Sequence, residues 1–446
     1  MQALLDWVLP TPKESSRRAI AAGSPGVFRE MGCGLLGKAL DPQGPTDKGM
    51  SRLIRAERRL GSKDRPLVVE TLYGVLRRRS LLECMLQTAN VDCSVQHLWQ
   101  LELLLSHRIS PEQFGLPEIF ADARACLQSS GRFEDELDVS AIATLTSMPL
   151  WIVEELAQQE RLEEVSKIAA SLSQQPETTL RVNVSKTSVE ALSETLREDG
   201  VEIQSGRHCL DALRVRGRPN LRGSKAFREG LFEIQDEASQ LVSLLIEPVR
   251  GGTVLDFCAG SGGKSLAVAA RLPRGGRILA ADPRRRSIEE ARKRLERAGA
   301  KRWRVHCYED GPLPLAHESA ARVLVDAPCT GIGSLRHHPV RKWRLQREEL
   351  AFQVQRQAEI LREAAKWVAP GGRLIYVTCS LLRAENEEQL ESFLDEHPGW
   401  RMISIREVLG RTRSRPFEKG ALFRSYPHRH ATDGFVAGIL VAPRVV

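Results

Sequence analysis

The sequence predicts an α/β protein: a parallel sheet covered by helices, preceded by an all-α domain. Three observations carry this. Past Leu231, TVLDFCAG, RILAADP, ARVLVDAP and RLIYVTCS recur as apolar, β-branched-rich runs, each followed by helical or loop text. Strands so uniformly apolar are buried on both faces, as in a parallel sheet. Before about Ile142 no strand-like alternation persists. The length, 446 residues, exceeds one ordinary core and asks for two or three domains.

In chain order, residues 1–142 read as helices. LVVETLYGVLRRRSLLECMLQTA sets Leu, Val and Tyr at helical spacing, and GSKDRP before it offers Ser62 or Asp64 as N-cap with Pro66 in the first turn. PTPKESS and DPQGPTDKG are rich in turn formers and have no assigned place. Residues 143–230 change to a helix (LWIVEELAQQ), a strand (TTLRVNV), a helix (VEALSETLREDG) and short strands (VEIQ, ALRV), a small α/β module. The Gly- and Arg-rich GRPNLRGSKAFREG then leads into residues 231–446, the strand-helix series. No internal repeat or low-complexity tract interrupts it.

The formal net charge of +8, with much arginine in short clusters, favours an acidic partner, a phosphate backbone above all. A soluble basic surface explains the charge equally well. Nine cysteines without a C-x-x-C pair argue against a secreted disulfide framework, so reduced thiols and a cytoplasmic location are expected. MQALLDWVLP lacks a basic n-region and breaks at Pro10, so no signal peptide, anchor or membrane association is expected.

LDFCAGSGGKS follows a strand and opens a helix. Gly260, Gly262 and Gly263 let the backbone turn sharply and approach a ligand. The next strand ends in Asp282, where a carboxylate can hold ribose hydroxyls, so the pair suits a nucleoside-bearing cofactor. A tight strand-to-helix turn is the alternative. The loop reads G-S-G-G-K and fits neither the dinucleotide nor the P-loop pattern. Asp310, after RWRVHC, can accept from an adenine amino group at the rim of a third strand, or simply be a turn residue before Gly311.

DFCAGSGGKS, VDAPCTGIGSLRHHP and VTCSLLRAENE resemble the successive motifs of the RsmB/Sun/Fmu and Nop family of RNA (cytosine-5)-methyltransferases. The resemblance is specific from about Glu229 to Val446, and DRPLVVETLYGVLRRRSLLE resembles the NusB-like RNA-binding domain of many bacterial members. It implies a Rossmann-like class I methyltransferase sheet, a small module of RRM-like or ferredoxin-like type, and S-adenosyl-L-methionine as cofactor. The implied cofactor contacts are Cys258, Ala259, Gly260, Ser261, Gly262, Gly263, Lys264, Asp282, Asp310 and Asp326. Cys258 contributes mainly backbone, and Cys258 and Cys307 are otherwise small core residues. Ser261 departs from the family proline of CAAPGGKT and is expected to loosen the loop. Lys264 keeps the family lysine, which can reach into the site or stay solvated.

The chemistry gives two thiols separate tasks. Carbon 5 of cytosine is a poor nucleophile, so a thiolate must first add to carbon 6. After transfer, a base must remove the proton on carbon 5 before the enzyme can leave. By resemblance Cys379 of the TCS motif is the nucleophile and Cys329 of the PC motif assists release. Asp326 holds the base by its amino edge, and needs burial to raise its pKa if it donates to the ring nitrogen. Both thiols lie at carboxyl ends of strands, where open α/β sheets place ligands. A metal at His337 and His338 is discounted for irregular spacing.

Arg336, Arg341, Lys342 and Arg344 around Trp343 fit a phosphate grip with a stacking aromatic, or equally a core anchor beside a solvated helix start. Arg284 to Arg286 and Arg77 to Arg79 extend the basic surface on the first reading. The target base must leave its stack, so a loop or single-stranded nucleotide of folded RNA is expected, bound by a monomer. Small-subunit ribosomal RNA is the implied substrate. Transfer RNA, a DNA cytosine methyltransferase with the P-C cysteine as nucleophile, a non-catalytic assembly factor and, more distantly, a nicotinamide oxidoreductase are the alternatives.

Overall fold

The computed structural model describes residues 2–14, 17–24, 26–130 and 137–444. Ser15 and Ser16 of PTPKESS, and the last two valines, lie outside the described residues. The chain divides into two compact units, Met1–Gln175 with Ser334–Arg347, and Pro176–Gly333 with Glu348–Val446.

The first unit is helical. Its longest helix, Arg65–Thr88, has Pro66 in its first turn. Asp64 holds the N-cap position, but its carboxylate accepts from Arg18 Nε (2.9 Å) instead of capping. The helix kinks at Arg78 (φ −113°, ψ 15°), whose guanidinium pairs with the buried Glu102. Leu72, Val75, Leu76, Leu81 and Trp99 are fully buried around it. Gly32 is needed there, because a Cβ would sit 2.4 Å from the Trp99 ring. Helix Leu150–Ala157, read from sequence as the start of the α/β module, belongs to this unit, as does helix Leu162–Ser173, which the sequence reading did not place. Their apolar faces, with Ile152, Leu156, Val165 and Ile168, are buried.

Residues 334–347 pack within this helical unit although they interrupt the sheet domain in sequence. The short helix Pro339–Lys342 is capped by Asp47, whose carboxylate accepts from the amides of Val340 and Arg341 (both 3.1 Å). Lys342 is 1% exposed and donates to Arg77 O (3.0 Å) and Ser173 Oγ (3.3 Å). Trp343 Nε1 donates to Leu76 O (2.6 Å), and Arg344 donates to the carbonyls of Gly44 (2.8 Å) and Asp41 (2.7 Å). Lys342, Trp343 and Arg344, read as part of an RNA grip, are therefore spent on internal carbonyls, which favours the core-anchor reading for these three residues, whereas Arg341 remains exposed. Some members of the arginine triplets are paired with carboxylates: Arg78 with Glu102, Arg79 with Glu83, Arg284 with Asp282 and Arg285 with Asp310, while Arg286 is exposed.

The second unit opens with four strands, β1 (Thr178–Val182), β2 (Ile203–Ser205), β3 (Ala212–Val215) and β4 (Phe232–Ile234). They form an antiparallel sheet in the order β2-β3-β1-β4, with helices Val189–Glu198 and Lys225–Arg228 as crossovers. That is the split βαβ arrangement of a ferredoxin-like module. It reaches four residues past the expected boundary at 230, because β4 pairs with β1 through Leu180↔Ile234.

The remaining strands are β5 (Thr253–Asp256), β6 (Arg277–Asp282), β7 (Trp303–Cys307), β8 (Ala320–Asp326), β9 (Val368–Thr378), β10 (Arg401–Ile403), β11 (Glu418–Lys419), β12 (Leu422–Ser425) and β13 (Phe435–Val441). Among the described residues they build one nine-stranded sheet, ordered β11-β12-β13-β9-β8-β5-β6-β7, with β10 beside β13. Strands β5 to β9 are parallel neighbours and β13 runs antiparallel to β9. Separate apolar clusters cover the sheet, one containing Leu255, Val323 and Tyr376, another Val254, Leu324 and Ile375. Both faces are thus buried, as the uniformly apolar strands require. The strand order reverses between β5 and β8, and that crevice is where such sheets bind ligands.

Candidate active site

The strands deliver five candidate side chains to one edge: Asp256 ends β5, Asp282 ends β6 and Asp326 ends β8, while Cys329 and Cys379 follow β8 and β9.

After β5 the chain turns through Gly260 (φ 53°) and Gly262 (φ 77°) into helix Gly263–Ala269. Gly262 has a second reason to be glycine, since a Cβ would lie 3.0 Å from Ala291 Cβ and 3.3 Å from Ala291 Cα. Asp282 is almost fully buried and ties this loop down, accepting from Gly260 N (2.8 Å), from Arg284 N and Nε (2.9 Å each) and from Arg284 Nη2 (3.0 Å). Burial pushes its pKa up, but the Arg284 bonds and charge and the Gly260 amide outweigh that and hold the carboxyl below its usual range. Ser261 does not leave the loop slack: Arg294, itself paired with Glu233 (3.0 Å), donates to Ser261 O (2.7 Å) and Oγ (3.1 Å). Arg294 thus clamps the loop from outside at the position where the family has proline.

Asp256 was not singled out in the sequence, although it ends the first strand of LDFCAG. It is 1% exposed and accepts from Ser265 Oγ (2.5 Å) through Oδ2, while Oδ1 is buried with no hydrogen-bond partner. Burial pushes its carboxyl up to about 7. An orphaned buried acceptor under a glycine loop is unusual, and it fits a site meant to hold a polar ligand. The donor set suits S-adenosylmethionine: a glycine loop open to a backbone approach, the Asp282 carboxylate for hydroxyls, and Asp310 farther out. Asp310 is half exposed and paired with Arg285 (2.5 Å), which holds its carboxyl below the usual range.

Lys264 reaches into the site. It is 7% exposed, forms an ion pair with Asp326 (2.6 Å) and lies 5.0 Å from the Phe435 ring centroid. Asp326 is partly open, with 35% of its side chain exposed. Beside it the two thiols meet, with Cys329 Sγ 3.5 Å from Cys379 Sγ. The Cys379 sulfur, then burial, then the Glu385 charge push the Cys329 thiol well up. Two sulfurs this close cannot both ionise, so the pair carries at most one negative charge.

The loops bearing the thiols are fixed from beneath by residues that sequence reasoning passed over. Glu385, fully buried, accepts from Thr330 N (2.8 Å), Thr330 Oγ1 and Gln357 Nε2 (3.0 Å), and Gln357 also donates to Pro328 O (2.9 Å). Asn386 accepts from Thr378 Oγ1 (2.6 Å) and donates to Leu382 O (2.7 Å), bracing the Cys379 side. Gly333 and Gly434 cross so closely that a Cβ on Gly333 would lie 2.2 Å from Gly434 O. The sequence signal is weak: in SLLRAENE the pair Glu385 and Asn386 stands three and four residues after Leu382.

No helix among the described residues is long and apolar enough to cross a membrane. Two family models match, "16S rRNA methyltransferase RsmB/F" over residues 243–441 and "Methyltr_RsmF/B-like, ferredoxin-like domain" over 148–222. The chain is 29% identical over 408 residues to "Probable ribosomal RNA small subunit methyltransferase B" of Bacillus subtilis, covering 84% of this chain and 90% of that one. It is 28% identical over 366 residues to the ribosomal RNA small subunit methyltransferase B of Klebsiella pneumoniae, covering 77% and 84%. The crystal structure of PH0851 shares the fold over 96% of this chain and 100% of that one, at a TM-score of 0.72 and 24% identity. That of NSun6 from Pyrococcus horikoshii with SFG does so over 66% and 97%, at a TM-score of 0.55 and 20% identity. With the glycine loop, the sheet order and these matches together, residues 243–441 form an S-adenosylmethionine-dependent methyltransferase domain of the RsmB/F type, preceded by a ferredoxin-like domain matched over 148–222.

Proposed function

We propose that this protein methylates carbon 5 of a cytosine in small-subunit ribosomal RNA through a covalent bond between Cys379 and carbon 6. The observation that carries the reading is the 3.5 Å approach of the Cys329 and Cys379 sulfurs beside the Lys264–Asp326 pair. The substrate class is supported by the relatives' names.

When bound, the cofactor supplies an electrophilic sulfonium methyl. The chain does the rest. Cys379, as the ionised member of the pair, adds to carbon 6 and pushes electron density to carbon 5. Asp326, held by Lys264, meets the amino edge of the base. Cys329 starts as a thiol, because a neighbouring thiolate opposes its ionisation. Once the Cys379 sulfur is bonded to carbon that negative charge is gone, so the part-buried Cys329 loses its own proton to solvent and, as a thiolate, takes the carbon 5 proton. Elimination of Cys379 then releases the product. Separate thiols let each keep the protonation state its own step requires.

RNA carrying 5-azacytidine tests the assignment, because the adduct on that base cannot eliminate. Peptide mapping should find the crosslink at Cys379, and Cys379→Ala should abolish both crosslink and transfer. A crosslink at Cys329 alone would overturn the mechanism. Bisulfite sequencing of ribosomal RNA with and without the gene tests the substrate, and an unchanged cytosine map would remove it.

A further inference from the structure

We propose that a second cleft of the catalytic unit, lined by Arg181, Arg271, Arg413 and His208, is an oxyanion site that takes a phosphate group. None of its lining residues belongs to the cofactor loop or to the cysteine loops. Its volume, about 230 Å³, leaves room for a phosphate with some of its water, given about 30 Å³ per liquid water.

The argument starts from Arg181, on β1, which is 3% exposed. Its Nε donates to Gln235 Oε1 (2.7 Å), and no residue among those described accepts from its two Nη atoms. Arg181 lines the cleft, so its two Nη atoms are not enclosed by protein alone. The carboxylate facing Arg181 across the strand pair, Glu233, is already engaged by Arg294 and Arg297. A buried guanidinium without a carboxylate of its own is costly unless something else supplies the negative charge. Burial pushes its pKa down to about 10, which still leaves it charged at neutral pH.

The other walls agree in sign. The Arg413 side chain makes no hydrogen bond or ion pair among the described residues, and Arg271 pairs with Asp211, the one carboxylate of the lining. Three guanidiniums thus face one acid. The wall from His208 to Asp211 is fixed in advance, because the buried Glu237 accepts from the amides of Arg207 (3.1 Å), His208 and Cys209 (2.5 Å). Planar guanidinium forks on a rigid frame match the tetrahedral oxygens of a phosphate better than they match a halide.

The group could be a backbone phosphate of RNA or a free phosphate, and the experiment separates them. Thermal melting of the full chain in inorganic phosphate and in pyrophosphate, at constant ionic strength and without cofactor, reads the free anion. Binding of a short single-stranded RNA over a salt series reads the backbone. The variants are Arg413→Glu in the cleft and Arg250→Glu, an exposed arginine outside it, as the gauge of one lost surface charge. Phosphate or pyrophosphate should stabilise the wild type and Arg250→Glu, while Arg413→Glu weakens that binding by about tenfold or more. If an RNA phosphate is the occupant, the slope of log K against log salt falls by about 0.7 more in Arg413→Glu than in Arg250→Glu. Anion binding that Arg413→Glu removes, with equal slopes, assigns the cleft to a free phosphate. Equal slopes and no anion binding that depends on Arg413 would overturn the site. Neither readout depends on methyl transfer, so the inference stands or falls apart from the catalytic mechanism.

Discussion

Replacing Glu385 by glutamine tests whether the buried carboxylate under the thiol loops sets both their position and their charge. Three donors converge on it, two of them from Thr330, the residue after Cys329. Glutamine keeps the shape and two of the contacts through its carbonyl oxygen, but makes each bond neutral and turns an amino group toward the Thr330 hydroxyl. A hydrogen bond to a charged group is worth about 1 kcal/mol more than a neutral one, so the three together cost about 3 kcal/mol. At about 2–4 °C per kcal/mol for a unit of this size, the melting temperature should fall by about 6–12 °C. The electrostatic consequence has a definite sign. The Glu385 charge helps to keep the Cys329 thiol pKa high, so its removal must lower that pKa. Iodoacetamide alkylation followed peptide by peptide across a pH series should show the Cys329 midpoint moving to lower pH. A loosened loop alone would raise the plateau rate without moving the midpoint. An unmoved midpoint and an unchanged melting temperature would refute the reasoning.

Three further outcomes follow from the geometry. Arg294→Ala removes both bonds to Ser261, so affinity for S-adenosylhomocysteine by calorimetry should weaken about tenfold, about 1.4 kcal/mol, with the circular dichroism spectrum unchanged. Asp256 has its folded pKa raised to about 7, so its contribution to stability is present below about pH 4 and lost as pH rises toward 7. Asp256→Asn should flatten that part of the melting profile, and a slope identical to the wild type counts against the burial argument. Lys342 has its pKa well below that of an ordinary lysine, through burial and then through Arg77 and Arg78, so the unfolded chain binds the extra proton and stability rises with pH toward the ordinary lysine range. Lys342→Met should remove this rise, stabilise the protein near neutral pH and leave RNA affinity within about twofold by fluorescence anisotropy.

The sequence by itself determined the sheet and its ligand edge. Strands such as RVLVDAP can be stable only when both faces are covered, and a glycine loop after such a strand can turn only toward the carboxyl edge. Hence Cys329, Cys379, Asp326, Asp282 and the loop from Cys258 to Lys264 were legible as candidates from local pattern and resemblance alone. What the sequence did not decide was where charged side chains spend their charge. SLRHHPVRKWRLQREEL has the composition of a nucleic-acid grip, yet Lys342, Trp343 and Arg344 bond to carbonyls of residues about 260 to 300 positions away in the chain. Arg294 clamping Ser261, Glu385 bracing Thr330 and Arg181 facing a cleft are likewise long-range pairings, with no periodicity that records them. Hydrophobic burial leaves its period in the sequence because it is set by the geometry of one element. A hydrogen bond or ion pair between distant elements is set only when the fold brings them together, so only the tertiary structure decided those.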